Sequence, residues 1–138
     1  SVKGPQRRSL DFLGFTHHWA RNQRGNWVIR RSTAKGRLSR TLRRINEWCR
    51  DHRHRSLREQ CEQLGKKLRG HYEYYGVTGN YPALARFFRE VQNRWRRWLS
   101  RRSQRGYVTW DHFHRMLKRY GLPPPRITHP YLCLAANP

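Results

Sequence analysis

Acidic residues are scarce in this chain: three aspartates and five glutamates among 138 residues. The aspartates, Asp11, Asp51 and Asp111, stand on separate predicted elements. Metal-assisted phosphoryl transfer needs carboxylates gathered around the reacting atoms, and this spacing gathers none. Cysteine is sparse as well. Cys49, Cys61 and Cys133 are too few and too uneven for a disulfide framework, which fits a reducing compartment. Together with His52 and His54, the first two would offer zinc two sulfurs and two nitrogens. Their spacing is not that of a finger, and both cysteines fall on apolar helical stripes, so no metal site is expected. His17 and His18 are neighbours in a predicted strand, where their rings point to opposite faces. No Ser/His/Asp arrangement or nucleotide-cradling glycine loop is present, so neither a cofactor nor catalytic residues are expected. No apolar run reaches the roughly 18 residues of a membrane span. The opening Ser-Val-Lys-Gly-Pro-Gln-Arg-Arg lacks the apolar centre of a signal peptide. The expectation is a protein of the cytoplasm or an organellar matrix, neither secreted nor membrane-bound.

What the chain has in excess is positive charge. Lysine and arginine number 31, 26 of them arginine, and the formal net charge is +23. That much self-repulsion disfavours a compact state until a polyanion answers it. Arginine in place of lysine points to phosphate, because the planar guanidinium grips it in pairs of hydrogen bonds and stacks on bases. Aromatic residues, 13% of the chain, interleave with the arginines, as in Trp95-Arg96-Arg97-Trp98. A disordered basic tail lacks so many Trp, Phe and Leu residues. Nucleic acid is therefore the favoured partner, and an anionic membrane surface comes second.

The apolar pattern predicts one mainly α domain: an N-terminal β-hairpin followed by a three- to four-helix bundle. Residues 1–10 form a basic lead-in, residues 11–31 the hairpin, residues 32–121 the helical part and residues 122–138 a Pro-rich tail. Asp11–Ala20 reads as one strand with a bulge or close backbone approach at Gly14, Asn22–Gly25 as a turn and Asn26–Arg31 as the returning strand. Leu38, Leu42, Ile45 and Cys49 mark the first helical face. Ser56 and Glu59 form a capping box that opens a second helix, with a stripe of Leu57, Cys61, Leu64, Leu68, Tyr72 and Tyr75, ended by Gly76. Asn80 is an N-cap candidate for a third helix bearing Leu84, Phe87, Phe88, Val91, Trp95, Trp98 and Leu99. Thr109 caps a short fourth helix carrying Trp110, Phe113, Leu117 and Tyr120 and stopped by Gly121. Pro123–Pro125 makes a stiff extended exit.

Projection at about 100° per residue sorts the charges. On the first helix Arg40, Arg43, Arg44, Glu47 and Arg50 face away from the stripe. On the second, Glu62 with Lys66 and Arg69 with Glu73 are predicted i,i+4 pairs. On the third, Arg86, Arg89, Arg96 and Arg97 lie opposite the stripe with Arg101 nearby, relieved only by Glu90. The third helix thus ranks first as a phosphate-contacting surface and the first helix second.

Two runs resemble a known family. Leu68-Arg-Gly-His-Tyr-Glu-Tyr-Tyr-Gly76, followed by Leu84, Phe87 and Trp95-Arg-Arg-Trp98, is similar to the maturase-specific region of group II intron reverse transcriptases, as is Phe12-Leu-Gly-Phe15 upstream. The segments Ser103–Trp110 and Pro125–His129 look like the tail of such proteins, so the resemblance covers about residues 9–130. It implies that the Phe-Leu-Gly-Phe run closes a polymerase palm and that the helices after it form the thumb, called domain X. It also implies that the thumb binds intron RNA, helps it fold for splicing and clasps a template–primer duplex. Carried over by motif position, Arg69, Gly70, Tyr72, Tyr74 and Tyr75 belong to the signature. Gly70 is expected to allow close backbone packing, Tyr72 and Tyr75 to be core, and Tyr74 to be free for RNA. His71 departs from the Trp that many members carry. The family's Tyr-x-Asp-Asp loop is missing. The chain is thus expected to be a detached thumb: a fragment, a remnant reading frame or a stand-alone module. An RNA-binding maturase module without chemistry of its own is the first function expected. The alternative is part of an RNA-directed DNA polymerase whose palm lies on another chain. A basic DNA- or membrane-binding protein is the weaker one.

Overall fold

A computed structural model describes residues 10–102 and 106–129. The lead-in before Leu10, residues 103–105 of the Ser103–Trp110 segment, and Cys133 with the end of the tail lie outside the described residues. Three antiparallel strands come first, in the order β1 (Leu10–Phe12), β2 (Phe15–Arg21) and β3 (Trp27–Thr33). The single strand expected over Asp11–Ala20 is in fact two. Leu13 and Gly14 both take positive φ, 52° and 85°, and reverse the chain, so Phe12 pairs with Phe15. A Cβ on Gly14 would stand 2.8 Å from the Tyr75 hydroxyl oxygen, so a close approach is present although a bulge is not. Leu13 is held in its disfavoured conformation by the Tyr74 hydroxyl, which donates to the Leu13 carbonyl at 2.7 Å. The second turn is as expected: the Asn22 side chain accepts from the N–H groups of Arg24 and Asn26, and Gly25 supplies positive φ.

Four helices follow: α1 (Lys35–His52), α2 (Leu57–Tyr75), α3 (Tyr81–Leu99) and α4 (Trp110–Arg119). Together with the sheet they give the mainly α architecture that the apolar periodicity predicts. The expected stripes of α1, α2 and α3 form one core, in which Cys49, Leu64, Leu68, Leu84, Phe87, Val91 and Trp95 are sealed from solvent. Full burial of such side chains contributes about 1.5–3 kcal/mol each. Phe88, Trp98, Leu57 and Tyr75 pack at its margin. On α4, Phe113 and Met116 point inward, while Trp110 is exposed and Leu117 only partly covered. Met116, three residues after Phe113, takes the buried position, and Leu117, four after it, packs at the margin.

Polar contacts set the helix directions. Asn80 at the head of α3 bonds Thr33 at the head of α1, and Trp98 Nε1 late in α3 donates to Asn46 Oδ1 in α1 at 2.9 Å. These two helices therefore run parallel. Early in α2, Gln60 accepts from Trp95 Nε1 late in α3, and His71 late in α2 stacks on Phe87 early in α3. Helix α2 is therefore antiparallel to α3. Ser56 and Thr109 cap α2 and α4 by accepting from Glu59 N–H and His112 N–H. Asn80 occupies the N-cap position of α3 but does not cap it. Its fully buried amide binds Thr33 N–H, Thr33 Oγ1 and the Tyr75 carbonyl instead, which joins sheet, α2 and α3.

The tail returns to the bundle. Leu122 is buried, the Tyr72 hydroxyl donates to the Pro123 carbonyl, and both Thr128 N–H and His129 N–H bond the Gly76 carbonyl at 2.8 Å. The stretch after Pro123–Pro125 thus closes the end of α2.

Candidate nucleic-acid interface

Two sets of exposed arginines line the polar sides of α1 and α3. Arg40, Arg43 and Arg44 of α1 are solvent-facing, and so are Arg86, Arg89 and Arg97 of α3 and Arg101 just beyond it. None of these seven forms an ion pair among the described residues. Glu90, the acid placed by sequence on the α3 face, is held by Arg94 at 2.6 Å. That hydrogen bond keeps its carboxyl below the usual range, with the charges of Arg86 and Arg89 adding to the effect.

Arg96 is different. Its guanidinium donates to the Val108 carbonyl at 3.0 Å and lies 4.1 Å over the ring of Trp110. Its Nε is buried without a hydrogen-bond partner. Arg96 thus anchors the approach to α4 and does not stand with the exposed set. The projection treated all outward arginines alike, whereas the chain beyond α3 folds back over this one.

The predicted pairs on α2 do not form. Glu62 turns to Arg58 at 3.4 Å and Glu59 to Arg55 at 3.7 Å. No acidic side chain bridges Lys66 or Arg69 among the described residues, and Arg69 is exposed. Arg58–Glu62 has the same i,i+4 spacing as Glu62–Lys66, and one carboxylate cannot favour both directions equally.

The motif tyrosines divide as follows. Tyr72 is core, and burial pushes its hydroxyl pKa upward. Tyr75 is half-buried against Phe15 and His71. Tyr74 is 53% exposed, yet its hydroxyl is committed to Leu13 and its ring stacks on Phe15 at 5.8 Å. Only its outer face is open. Gly70 has nothing within 4 Å of a would-be Cβ and is exposed, so it serves no close packing. The tight glycine is Gly76, where a Cβ would press on the Tyr72 carbonyl and on Thr128. His71 fills its core position by stacking on Phe87 at 3.7 Å, and desolvation lowers its pKa from 6.5 to about 4.

One arrangement escaped the sequence. The Trp98 ring meets two guanidiniums, Arg53 at 5.8 Å from the C-cap of α1 and Arg101 at 4.9 Å from beyond α3. Only the parallel course of α1 and α3 brings residues 53 and 101 together, which no local spacing encodes. Cys49 and Cys61 sit in the core. Burial pushes the Cys49 thiol up to about 12, and Cys61 Sγ donates to the Tyr120 carbonyl at 2.8 Å.

The pattern of exposed arginines, the tyrosine run at the end of α2 and aromatic α3 coincides with a family match. Residues 38–121 match the model of the group II intron, maturase-specific domain. The chain belongs to that family. Every exposed arginine named above falls inside the matched residues of the maturase-specific domain, and the N-terminal sheet precedes them. Comparison with curated proteins and with solved structures gave no match.

Proposed function

We propose that this maturase-specific domain binds group II intron RNA through the arginine faces of α1 and α3 and assists its folding and splicing as a scaffold. The observation that carries the reading is a pair of neighbouring arginine faces on a packed bundle. Arg40, Arg43, Arg44, Arg86, Arg89 and Arg97 are exposed and form no ion pair among the described residues, on two helices that lie side by side. Asp51, Glu59, Glu62 and Glu90 are already held by other arginines. Such a surface neutralises phosphates and releases their counterions. The family supplies the class of RNA. Dispersed carboxylates support a role without chemistry of its own.

The test compares Arg86→Gln/Arg89→Gln/Arg97→Gln with Arg50→Gln/Arg58→Gln, whose guanidiniums already meet Asp51 and Glu62. The triple variant should weaken binding of structured intron RNA at least about tenfold and lower the salt slope by up to about 2–3, at about 0.7–0.9 per lost contact. The double variant should change neither by much. A folded triple variant with unchanged affinity and slope would refute the α3 surface, and α1 would take its place.

A second reading is the thumb of a reverse transcriptase that clasps a template–primer duplex beside a palm on another chain. It is favoured by the tie of the Phe12–Phe15 turn to α2 through Tyr74 and Tyr75. An RNA–DNA hybrid bound as tightly as intron RNA would support it.

A further inference from the structure

A groove lies away from the sheet, where α4 and the segment before it cross the end of α3 and the start of α2. It consists of two adjoining cavities of 380 and 330 Å³ that share Leu57, His112 and Met116. Each is at the lower end of the about 300–1,000 Å³ typical of small-ligand sites. Leu57, Leu99 and Met116 make an apolar floor. Arg102 stands at one end, and Arg115 and Arg119 line the other. Tyr107 forms the lip and is 73% exposed. No Asp or Glu lines either cavity among the described residues. The nearest acids of α2, Glu59 and Glu62, face Arg55 and Arg58.

We propose that this groove takes unstacked bases of single-stranded RNA, a second contact beyond the helix faces and one that rests on the RNA-binding reading. The argument is complementarity. An apolar floor with an open tyrosine ring accepts the face of a base, and three cationic side chains at the rim accept its flanking phosphates. A duplex keeps its bases stacked and cannot fill cavities of this size. Arg115 has no ion pair or hydrogen bond among the described residues, and Arg119 lies over the Tyr120 ring that lines the same groove. The exposed lip and free guanidinium are therefore available to a ligand. Tyr107 has no role in the core, which leaves its exposure without a folding explanation.

The probe is an oligouridylate of about ten nucleotides carrying a central 4-thiouridine, set against an RNA hairpin duplex of similar charge. Tyr107→Ala should weaken oligouridylate binding about tenfold. Arg115→Gln/Arg119→Gln should lower its salt slope by about 1.4, at about 0.7 per contact. Both variants should leave duplex affinity within about threefold, since duplex is held by the other surface. Crosslinks should map to Tyr107, His112 or Met116. Unchanged oligouridylate affinity in both variants, or crosslinks confined to α1 and α3, would overturn the groove and leave the helix-face reading standing. Absence of binding by any RNA would remove both. An acidic peptide held in the groove in place of RNA would overturn the proposal in favour of a protein partner. All three substituted positions are exposed, and circular dichroism confirms the fold of each variant before binding is compared.

Discussion

Replacing Asn80 with alanine should loosen the junction between the sheet and the bundle. Its amide makes three bonds of 2.8 Å, to Thr33 N–H, Thr33 Oγ1 and the Tyr75 carbonyl. Asn80 is fully buried and Thr33 nearly so, so water does not replace the lost partners. Each bond contributes about 0.5–1.5 kcal/mol net, and the orphaned Thr33 N–H costs about 1–3 kcal/mol more. The expected loss is about 3–5 kcal/mol, a large share of the about 5–15 kcal/mol that holds a domain together. At about 3–5 °C per kcal/mol for a chain of this length, Tm should fall by about 10–20 °C. Urea unfolding followed by tryptophan fluorescence, with circular dichroism as the check on helicity, measures the loss. Asn80→Asp keeps the acceptor for Thr33 N–H but sets a carboxylate against the Tyr75 carbonyl, and it should do no better than alanine. A folded Asn80→Ala variant within about 1 kcal/mol of wild type would refute the reasoning, because it would mean that the amide holds nothing together.

Acid should destabilise the core through His71. Its folded pKa of about 4 lies below the ordinary 6.5 because burial disfavours the charged ring. As pH falls from 6.5 toward 4, the unfolded chain takes up a proton that the folded one refuses. Stability should therefore decline across that window by about 3 kcal/mol, at about 1.4 kcal/mol per pH unit. His71→Phe should remove this contribution, as read from urea midpoints at several pH values. Gly76→Ala should cost more than about 2 kcal/mol and release Ile127–His129 to proteolysis, because its Cβ meets the Tyr72 carbonyl and Thr128.

Periodicity made the helices readable, because α1, α2 and α3 each bury one stripe in a common core. Ser56 and Thr109 were readable for a related reason: a cap acts on its own helix within three residues. Asn80 has the same sequence signature, yet its amide serves partners 47 and five residues away. Tertiary demand outweighed the local motif. The Leu13–Gly14 reversal was hidden because Leu seldom takes positive φ, and what holds it there is Tyr74, 61 residues on. Helical projection found the exposed arginines of α1 and α3 but could not separate Arg96, whose partners Val108 and Trp110 come from beyond the helix. The groove drew on Leu57, Leu99 and Met116 from three helices, a grouping invisible to any single periodic pattern.

The parallel course of α1 and α3 gives the charge a direction. Aligned peptide dipoles leave about half a positive charge at each helix N-terminus and about half a negative charge at each C-terminus. Two C-terminal poles therefore lie at one end of the pair, where Arg50, Arg53, Arg96 and Arg97 gather and are partly offset by them. At the other end the two N-terminal poles meet with no acidic residue in either first turn. Lys35, Arg37 and Arg40 add to those poles instead of cancelling them. Along this pair the helix poles thus reinforce the basic side chains toward the sheet and offset those at the far end, while α2, running antiparallel, sets one opposite pole at each end.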